Sequence, residues 1–206
     1  MSKTYLDKIY GVEGEAAQRA LYDDWAGSYD AELGENAYQT PGRVAAALKQ
    51  ALAGEAKAAR ILDFACGTGL SGAALHAQGF TEIDGCDVSQ GMLDVAKDKQ
   101  VYGALIKTPL GPPPPELIAG YDAVIAVGAI SPGAAPASCL TAIMDALSPG
   151  ARLAVSYNEL ALKEDGYKAA LDAVLARPDV RLESSEDGPH IQELGSISRV
   201  MVLLKL

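Results

Sequence analysis

A strand-like run that ends in a glycine-rich turn is the feature that most constrains the fold of this chain. Residues 61–69 read I-L-D-F-A-C-G-T-G, so an apolar strand passes through small residues into a helical pattern. Such a turn lets backbone approach a ligand closely and directs a helix N-terminus towards negative charge. Open α/β sheets bind ligands at this carboxyl edge. The segment therefore predicts an α/β domain with a binding site at the end of its first strand.

Strand and helix patterns alternate along the rest of the chain. Apolar runs predict strands at residues 60–65, 83–88, 101–107, 123–127, 153–157, 180–183 and 197–204. Apolar residues at helical spacing fall between most of these strands, and an earlier helix begins at Pro41. The repeat predicts a Rossmann-like, doubly wound, mostly parallel seven-stranded sheet with helices on both faces. The proline run at residues 112–115 is predicted to be a stiff loop.

Length and composition fit a single domain. The chain has 206 residues, 49% of them apolar, and shows neither an internal repeat nor a linker. We expect one domain over residues 1–206. Residues 1–58 are predicted to form an N-terminal helical lid and the first core helix, and residues 59–206 the Rossmann-like core.

Charge and cysteine content limit the partners and the location. The formal net charge is −10 and basic residues are scattered, which disfavours a nucleic-acid partner. Apolar runs are too short for a membrane helix, and the first residues lack a signal-like apolar stretch. Three cysteines and two histidines lack metal-ligand spacing. We therefore expect a cytoplasmic protein without a metal site, with no nucleic-acid or membrane partner.

Two cofactor classes fit the glycine-rich turn. Residues 67–72 match the dinucleotide fingerprint G-x-G-x-x-G, and Asp87 follows at about the required distance. Asp63 favours S-adenosyl-L-methionine (SAM), because pyrophosphate needs no carboxylate beside it, whereas a carboxylate orients the cationic amino-acid end of SAM directly or through water. Asp87 can accept hydrogen bonds from both ribose hydroxyls. We favour SAM.

Four motifs resemble those of class I SAM-dependent methyltransferases, and they occur in the family's order. Residues 63–69 resemble the first motif, with Ala65 in place of its first glycine. Residues 85–93 resemble the family's ribose-binding strand, residues 121–124 resemble the fourth-strand motif, and residues 147–153 resemble the turn before strand five. Further segments are similar to one branch, the methyltransferase-like proteins of the Williams–Beuren syndrome chromosome region: residues 21–30, 38–41, 126–131 and 166–171.

The resemblance implies methyl transfer from SAM, with a set of cofactor-binding residues but no assigned catalytic residue. That set is Tyr29, Asp63, Ala65, Gly67, Thr68, Gly69, Asp87, Val88, Met92 and Val127. Many members place an acidic residue after strand three to receive the adenine amino group, but this chain has K-T-P-L at residues 107–110. Adenine is therefore predicted to contact backbone and the apolar residues Val88, Met92 and Val127, and Thr108 is assigned no role.

The acceptor and two alternative functions stay open at this stage. A small-molecule nucleophile is expected because no extra domain is present. A SAM-binding sensor or partner subunit without catalysis is the first alternative. An NAD(P)-dependent oxidoreductase is the second, although no tyrosine is followed by lysine four residues later, as in the usual short-chain catalytic pair.

Four side chains outside the core motifs each have two interpretations. Trp25 and Tyr29 either cover the methionine end of SAM or pack a helix onto the sheet. We favour the lid interpretation for Tyr29 and leave both interpretations open for Trp25. Residues 1–41 are expected to be mobile until SAM binds. Arg43 is expected to be an exposed helix arginine rather than a partner of the SAM carboxylate. His190 is expected to be a solvated loop residue rather than a general base.

Overall fold

A seven-stranded sheet runs through the centre of the protein, seen in a computed structural model that describes residues 15–35, 37–53 and 58–206. The strands are β1 (Arg60–Phe64), β2 (Glu82–Asp87), β3 (Leu105–Lys107), β4 (Ala123–Ala126), β5 (Arg152–Asn158), β6 (Val180–Pro189) and β7 (Ile197–Lys205). Their order is β3-β2-β1-β4-β5-β7-β6. Neighbours among β1–β5 pair in parallel, and β7 is antiparallel to both of its neighbours. The predicted mostly parallel, Rossmann-like sheet is confirmed.

Helices cover both faces of this sheet. They are α1 (Glu15–Glu35), α2 (Thr40–Ala51), α3 (Leu70–Ala77), α4 (Gln90–Asp98), α5 (Pro115–Ile118), α6 (Ser138–Ala146), α7 (Glu159–Lys163) and α8 (Asp165–Leu175). Successive strand residues point to opposite faces, so Ile61 packs in the core that contains Leu48 of α2, and Leu62 in the core that contains Leu140 of α6. Both faces are therefore apolar, as expected for a parallel sheet.

Several element boundaries differ from the sequence prediction. β3 begins at Leu105 rather than at residue 101, and the N–H of Ala104 just before it bonds to the Asp84 carboxylate. β6 extends to Pro189 rather than to residue 183, since it pairs with β7 along that length. The proline run is a loop only as far as Pro114, and α5 starts at the next residue. Helix α7 was not predicted.

The strand order places a topological switch at β1. β2 lies on one side of β1 and β4 on the other, so the connections after β1 and after β4 leave in opposite directions. A crevice forms at such a point, outside the carboxyl ends of the strands. Within the described parts of the chain, none of the helices has the length and apolarity that crossing a membrane requires.

Candidate functional site

A cleft of about 680 Å³ opens at the carboxyl ends of β1, β2 and β4. Helix α1, the glycine-rich turn, and the segments after β2, β3 and β4 contribute its lining. The lining residues are Tyr29, Phe64, Ala65, Gly67, Asp87, Val88, Met92, Thr108, Pro109, Leu110, Gly111, Val127, Gly128, Ala129, Ala134 and Ala135.

A side chamber of about 300 Å³ adjoins the cleft beneath the start of α2. The two spaces share Tyr29, Ala65, Gly67 and Val127. The other residues that line the side chamber are Tyr38, Pro41, Cys66, Thr68, Leu70 and Ser71. The glycine-rich turn thus separates a larger space over β2 and β4 from a smaller one near the N-terminus of α3.

The glycine-rich turn adopts the left-handed conformation that its small residues allow. Ala65 and Gly67 have φ values of 55° and 54°, and the N–H of Cys66 donates to the Cys86 carbonyl at 2.9 Å. A Cβ atom on Gly67 would meet nothing within 4 Å. The α-carbon of Gly67 therefore faces open space, so a ligand can come close to the backbone there.

Asp87 ends β2 with its carboxylate at the edge of the cleft. Its two oxygens each accept a backbone hydrogen bond, from Gly67 N–H at 2.9 Å and from Ser89 N–H at 2.9 Å. The side chain is buried, and this burial raises the carboxyl pKa above its usual range despite the N–H donors. A carboxylate has about four lone-pair positions, so the two N–H groups leave it able to accept further hydrogen bonds.

Asp63 lies behind the turn and is fully buried. Ser71 Oγ donates to Asp63 Oδ2 at 2.6 Å, and the Tyr102 hydroxyl donates to the same oxygen at 2.7 Å. The other oxygen, Oδ1, has no hydrogen-bond partner among the described residues. Burial raises the pKa of Asp63 to about 7, although the hydrogen bonds from Ser71 and Tyr102 lower it. Asp63 lines neither the cleft nor the side chamber.

The Tyr102 ring occupies the space beside Gly69 and Gly72, two of the three glycines that match the dinucleotide fingerprint. A Cβ atom on Gly72 would lie 2.3 Å from the ring, and one on Gly85 would lie 2.9 Å from it. A Cβ atom on Gly69 would lie 3.0 Å away. The N–H of Gly72 also donates to the Tyr102 hydroxyl at 3.2 Å. Gly69, Gly72 and Gly85 therefore form a cradle for a phenol, which gives two of the three fingerprint glycines a packing role, whereas the first, Gly67, faces open space.

Helix α1 lies against the site through polar contacts as well as aromatic ones. Thr68 Oγ1 donates to Asp30, which also pairs with Lys99. Asp23 accepts from the Ser89 hydroxyl and from the Gly91 N–H. These carboxylates tie α1 to the glycine-rich turn and to the N-terminus of α4.

The two aromatic residues of α1 take different positions. Tyr29 lines both the cleft and the side chamber, as the lid interpretation requires. Trp25 is only 1% exposed, and its indole N–H donates to Glu32 at 2.9 Å. The two rings meet edge-on with centroids 4.5 Å apart. Trp25 therefore packs α1 and supports Tyr29.

The structure brings most of the predicted cofactor residues together. Seven line the cleft: Tyr29, Ala65, Gly67, Asp87, Val88, Met92 and Val127. Thr68 lines the side chamber only, and Asp63 and Gly69 line neither space. Sequence reasoning missed residues 108–111, although their position after a predicted strand of the same sheet was a usable signal. It also missed Phe64, residues 128–129, which lie in the segment 126–131 that resembles the branch, and residues 134–135, for which no motif gave a signal.

Two interpretations outside the cleft are wrong. Arg43 is not an exposed helix arginine, because its guanidinium donates to the Ser198 carbonyl at 3.0 Å and to the Glu186 carbonyl at 2.9 Å, which joins α2 to the β6–β7 hairpin. His190 is not a solvated loop residue, since its Nδ1 lies 2.9 Å from Thr40 Oγ1 and its ring meets Tyr38 edge-on. Burial lowers the pKa of His190 to about 4, so its imidazole is neutral at pH 7.

Comparison with known proteins agrees with this geometry. A family model described as a methyltransferase domain matches residues 62–153. Human Methyltransferase-like protein 27 is 36% identical over 169 residues, which cover 82% of this chain and 68% of that protein. A probable 18S rRNA (guanine-N(7))-methyltransferase from Dictyostelium discoideum is 41% identical over 70 residues, which cover 34% of this chain and only 24% of that protein.

Solved structures share the fold at low sequence identity. A TehB-like SAM-dependent methyltransferase from Corynebacterium glutamicum superposes with a TM-score of 0.58 at 21% identity, covering 91% of this chain and 99% of that one. Magnesium protoporphyrin IX methyltransferase from Synechocystis, solved with bound SAM, gives a TM-score of 0.59 at 15% identity, covering 98% and 90%. Their architecture is the one described above.

Proposed function

Since the chain belongs to the class I SAM-dependent methyltransferases, with SAM as its cofactor, we propose that it transfers the sulfonium methyl group of SAM to a small-molecule nucleophile. The observation that carries the acceptor class is the bounded cleft at the strand ends, covered by α1 within the same domain. A concave and mostly apolar cleft at the strand ends suits a cofactor together with a small acceptor. No further domain of the described chain extends the binding surface.

The polar groups of the site fit the chemistry of SAM. Asp87, with acceptor capacity left at the cleft edge, would bind the ribose hydroxyls. Val88, Met92 and Val127, together with Pro109 and Leu110 of the same lining, offer an apolar surface to adenine. Asp63, buried with an unpartnered oxygen, would receive the cationic amino group directly or through water. Thr68 and Gly69 would shape the turn.

The protein contributes position and exclusion of water. When bound, SAM supplies a methyl group already activated on a sulfonium, so the remaining demand is in-line alignment of the acceptor. Tyr29 presents an aromatic surface suited to a cation. Helix α1, tied down by Asp23 and Asp30, would keep bulk water out of the cleft.

Helix α1 is proposed to order fully only when cofactor binds. Its contacts to the core combine the carboxylates Asp23 and Asp30 with the buried side chains Trp25, Ala26 and Leu33, while Tyr29 faces the cleft that the cofactor would fill. S-adenosylhomocysteine should therefore increase hydrogen-exchange protection of residues 15–41. Strong protection without ligand that does not change on binding would mean a permanent structural helix. The part of the expected lid in residues 1–14 lies outside the described residues.

The charges of the described surface support a small acceptor over RNA. Several arginines are already paired: Arg177 with Asp145 and Asp179, and Arg199 with Asp187. The net charge of −10 also opposes phosphate binding. An RNA acceptor is the second candidate, and the observation that favours it is the partial match to 18S rRNA methyltransferases.

Radiolabelled SAM separates these acceptors. The protein would be incubated with methyl-tritiated SAM and either a cell extract filtered below about 1 kDa or total RNA at low salt. We expect label in a methylated product of the low-mass extract, separated from SAM itself. This product should be lost with Asp87→Ala. Label in RNA instead would replace the small-molecule acceptor. Binding of S-adenosylhomocysteine without label transfer to any fraction would favour a non-catalytic SAM-binding protein.

A cytoplasmic location is also proposed. Cys66, Cys86 and Cys139 are all buried free thiols, as in a reducing compartment. Burial raises the pKa of Cys86 and Cys139 to about 12, which keeps these thiols protonated and unreactive.

In the described ranges, no three His, Cys, Asp or Glu side chains are grouped to hold a metal ion.

A further inference from the structure

The hydrogen bonds to Asp63 are unevenly divided between its two oxygens. Ser71 Oγ and the Tyr102 hydroxyl both donate to Oδ2, at 2.6 and 2.7 Å. Oδ1 is buried and has no partner within the described chain. An unpaired buried carboxylate oxygen is costly, so a partner from outside the protein is needed to complete its hydrogen bonding.

Tyr102 is held in one place by the glycine cradle. The Gly72, Gly69 and Gly85 backbones approach its ring so closely that a Cβ atom on any of them would lie within 3.0 Å of it. The Gly72 N–H adds a hydrogen bond to the hydroxyl at 3.2 Å. The phenol therefore has little freedom to move, and the direction of its O–H bond is set by the Asp63 carboxylate.

We infer that Tyr102 is a positioning residue of the cofactor site: seated in its glycine cradle, it occupies Asp63 Oδ2 and so leaves Oδ1 for the cationic amino group of the cofactor. The inference rests on the proposed placement of SAM, and it assigns a role to a residue that lines neither the cleft nor the side chamber. Tyr102 acts through Asp63 and touches no ligand itself.

The surroundings of Asp63 make this arrangement sensitive to pH. The titratable groups that face it are Asp87 and Cys86 of β2, Cys66 of the turn, Tyr38 before α2, and Tyr102. All are acidic, and none is a cation. Burial raises the pKa of Asp63 to about 7, and the Tyr102 hydrogen bond opposes that rise. Removing the hydroxyl therefore raises the pKa of Asp63 further and lowers the ionised fraction at pH 7.

The experiment compares two ligands across pH in wild type and Tyr102→Phe. S-adenosylhomocysteine carries the amino-acid end, and 5′-methylthioadenosine lacks it. For Tyr102→Phe at pH 7 we expect S-adenosylhomocysteine to bind about tenfold more weakly. 5′-Methylthioadenosine should bind as in wild type. The pH at which S-adenosylhomocysteine affinity reaches half of its maximum on the acid side should move upward.

A matched control is Tyr121→Phe. Tyr121 donates to Asp84 at 2.7 Å, so the variant also loses one tyrosine–carboxylate hydrogen bond, but away from the cleft. Neither ligand should change in affinity. Ser71→Ala removes the other donor to Asp63 Oδ2 and should show the same ligand pattern, which gives a second measurement if Tyr102→Phe does not fold.

Two results would overturn the inference. In one, Tyr102→Phe and Ser71→Ala bind S-adenosylhomocysteine with wild-type affinity and pH dependence. In the other, both ligands weaken equally, which means that the phenol only supports the fold. If wild type itself prefers 5′-methylthioadenosine, the placement of the amino-acid end is wrong and the failure lies with the proposed function.

Discussion

The carboxylates of the cleft and those of the β6–β7 hairpin have opposite environments. In the cleft region, Asp63 and Asp87 are buried and bonded to hydroxyl and backbone N–H donors. In the hairpin, Asp187 is bound in a bidentate manner by Arg199, at 2.7 and 2.8 Å, and Glu183 pairs with Arg152 at 2.8 Å. The first pair keeps its negative charge uncompensated, whereas the second is neutralised within the protein.

The pKa directions follow from this difference. Burial raises the pKa of Asp63 and Asp87, while the Arg199 guanidinium lowers the pKa of Asp187. Donors without charge hold a carboxylate in place and leave its charge for a cationic or hydroxyl-bearing ligand. An arginine, in contrast, also neutralises the charge of the carboxylate that it binds. Burial without a cationic partner thus disfavours the ionised forms of Asp63 and Asp87, whereas pairing with an arginine favours the ionised form of Asp187.

The largest expected effect is a loss of ligand affinity, and it should occur at only one of two glycines with positive φ. Gly67 in the turn and Gly195 in the hairpin have φ of 54° and 61°, and both have open space where a Cβ would lie. Gly67→Val should reduce S-adenosylhomocysteine affinity more than about a hundredfold, because the branched side chain enters the cleft and tolerates this φ poorly. Gly195→Val should carry a similar backbone cost without loss of binding. Calorimetry measures the S-adenosylhomocysteine affinity of each variant, and circular dichroism shows whether each variant is folded.

Normal binding by a folded Gly67→Val variant would mean that the turn is not the cofactor loop. Equal loss in Gly195→Val would instead indicate a global effect of the backbone change.

The second effect compares Asp87→Ala with Asp187→Ala. We expect Asp87→Ala to weaken cofactor binding by about 2–3 kcal/mol, because it removes charge-assisted hydrogen bonds to the ribose. Asp187→Ala removes an ion pair with Arg199 and should leave affinity unchanged. Isothermal titration with S-adenosylhomocysteine gives both values. Unchanged affinity in folded Asp87→Ala would refute the ribose assignment.

A third effect concerns stability without ligand. The pKa of Asp63 is about 7 in the folded protein against 3.8 as reference, so the folded state binds more protons between these values and stability falls as pH rises from about 4 to 7. Asp63→Asn should remove this loss and stabilise the ligand-free protein at pH 8. Urea unfolding at pH 5 and pH 8 tests it, and an equal pH response in wild type and variant would contradict it.

The smallest effect has the opposite sign and lies in the hairpin. The pKa of Asp187 is lowered by Arg199, so its contribution to stability is present above about pH 4 and is lost as the pH falls through the folded value. Because the pair is largely exposed, Asp187→Asn should cost only a few tenths of a kcal/mol at pH 7. The difference from wild type should vanish near pH 2. A larger effect at low pH than at pH 7 would disprove the assignment.

Local sequence patterns were sufficient for the sheet and for the place of the site. The apolar run before Asp63, the small residues of the turn and the acidic end of β2 are adjacent in sequence to the elements that they identify. Parallel strands then bring their carboxyl ends to one edge, so Gly67, Asp87 and Val127 had to lie close together. Their direct contacts with SAM stay predictions.

Side chains that reach across the fold were not predictable in the same way. Tyr102 was part of a predicted strand, yet it bonds to Asp63, 39 residues away. Arg43 and His190 were assigned to solvent, but they contact Ser198 and Thr40 over separations of 155 and 150 residues. Periodicity describes which face of an element is apolar, and it carries no information about which distant polar group will lie opposite.

The sequence alone determined the order of strands and helices, the glycine-rich turn and the resemblance that led to SAM, because each is a property of neighbouring residues. Only the tertiary structure decided that Asp63 has one satisfied and one unpartnered oxygen, that the Tyr102 ring packs against Gly69 and Gly72, and that Tyr29 of α1 lines the cleft. These features depend on how packed elements exclude water and bring distant groups together, and that is fixed when the whole core is assembled.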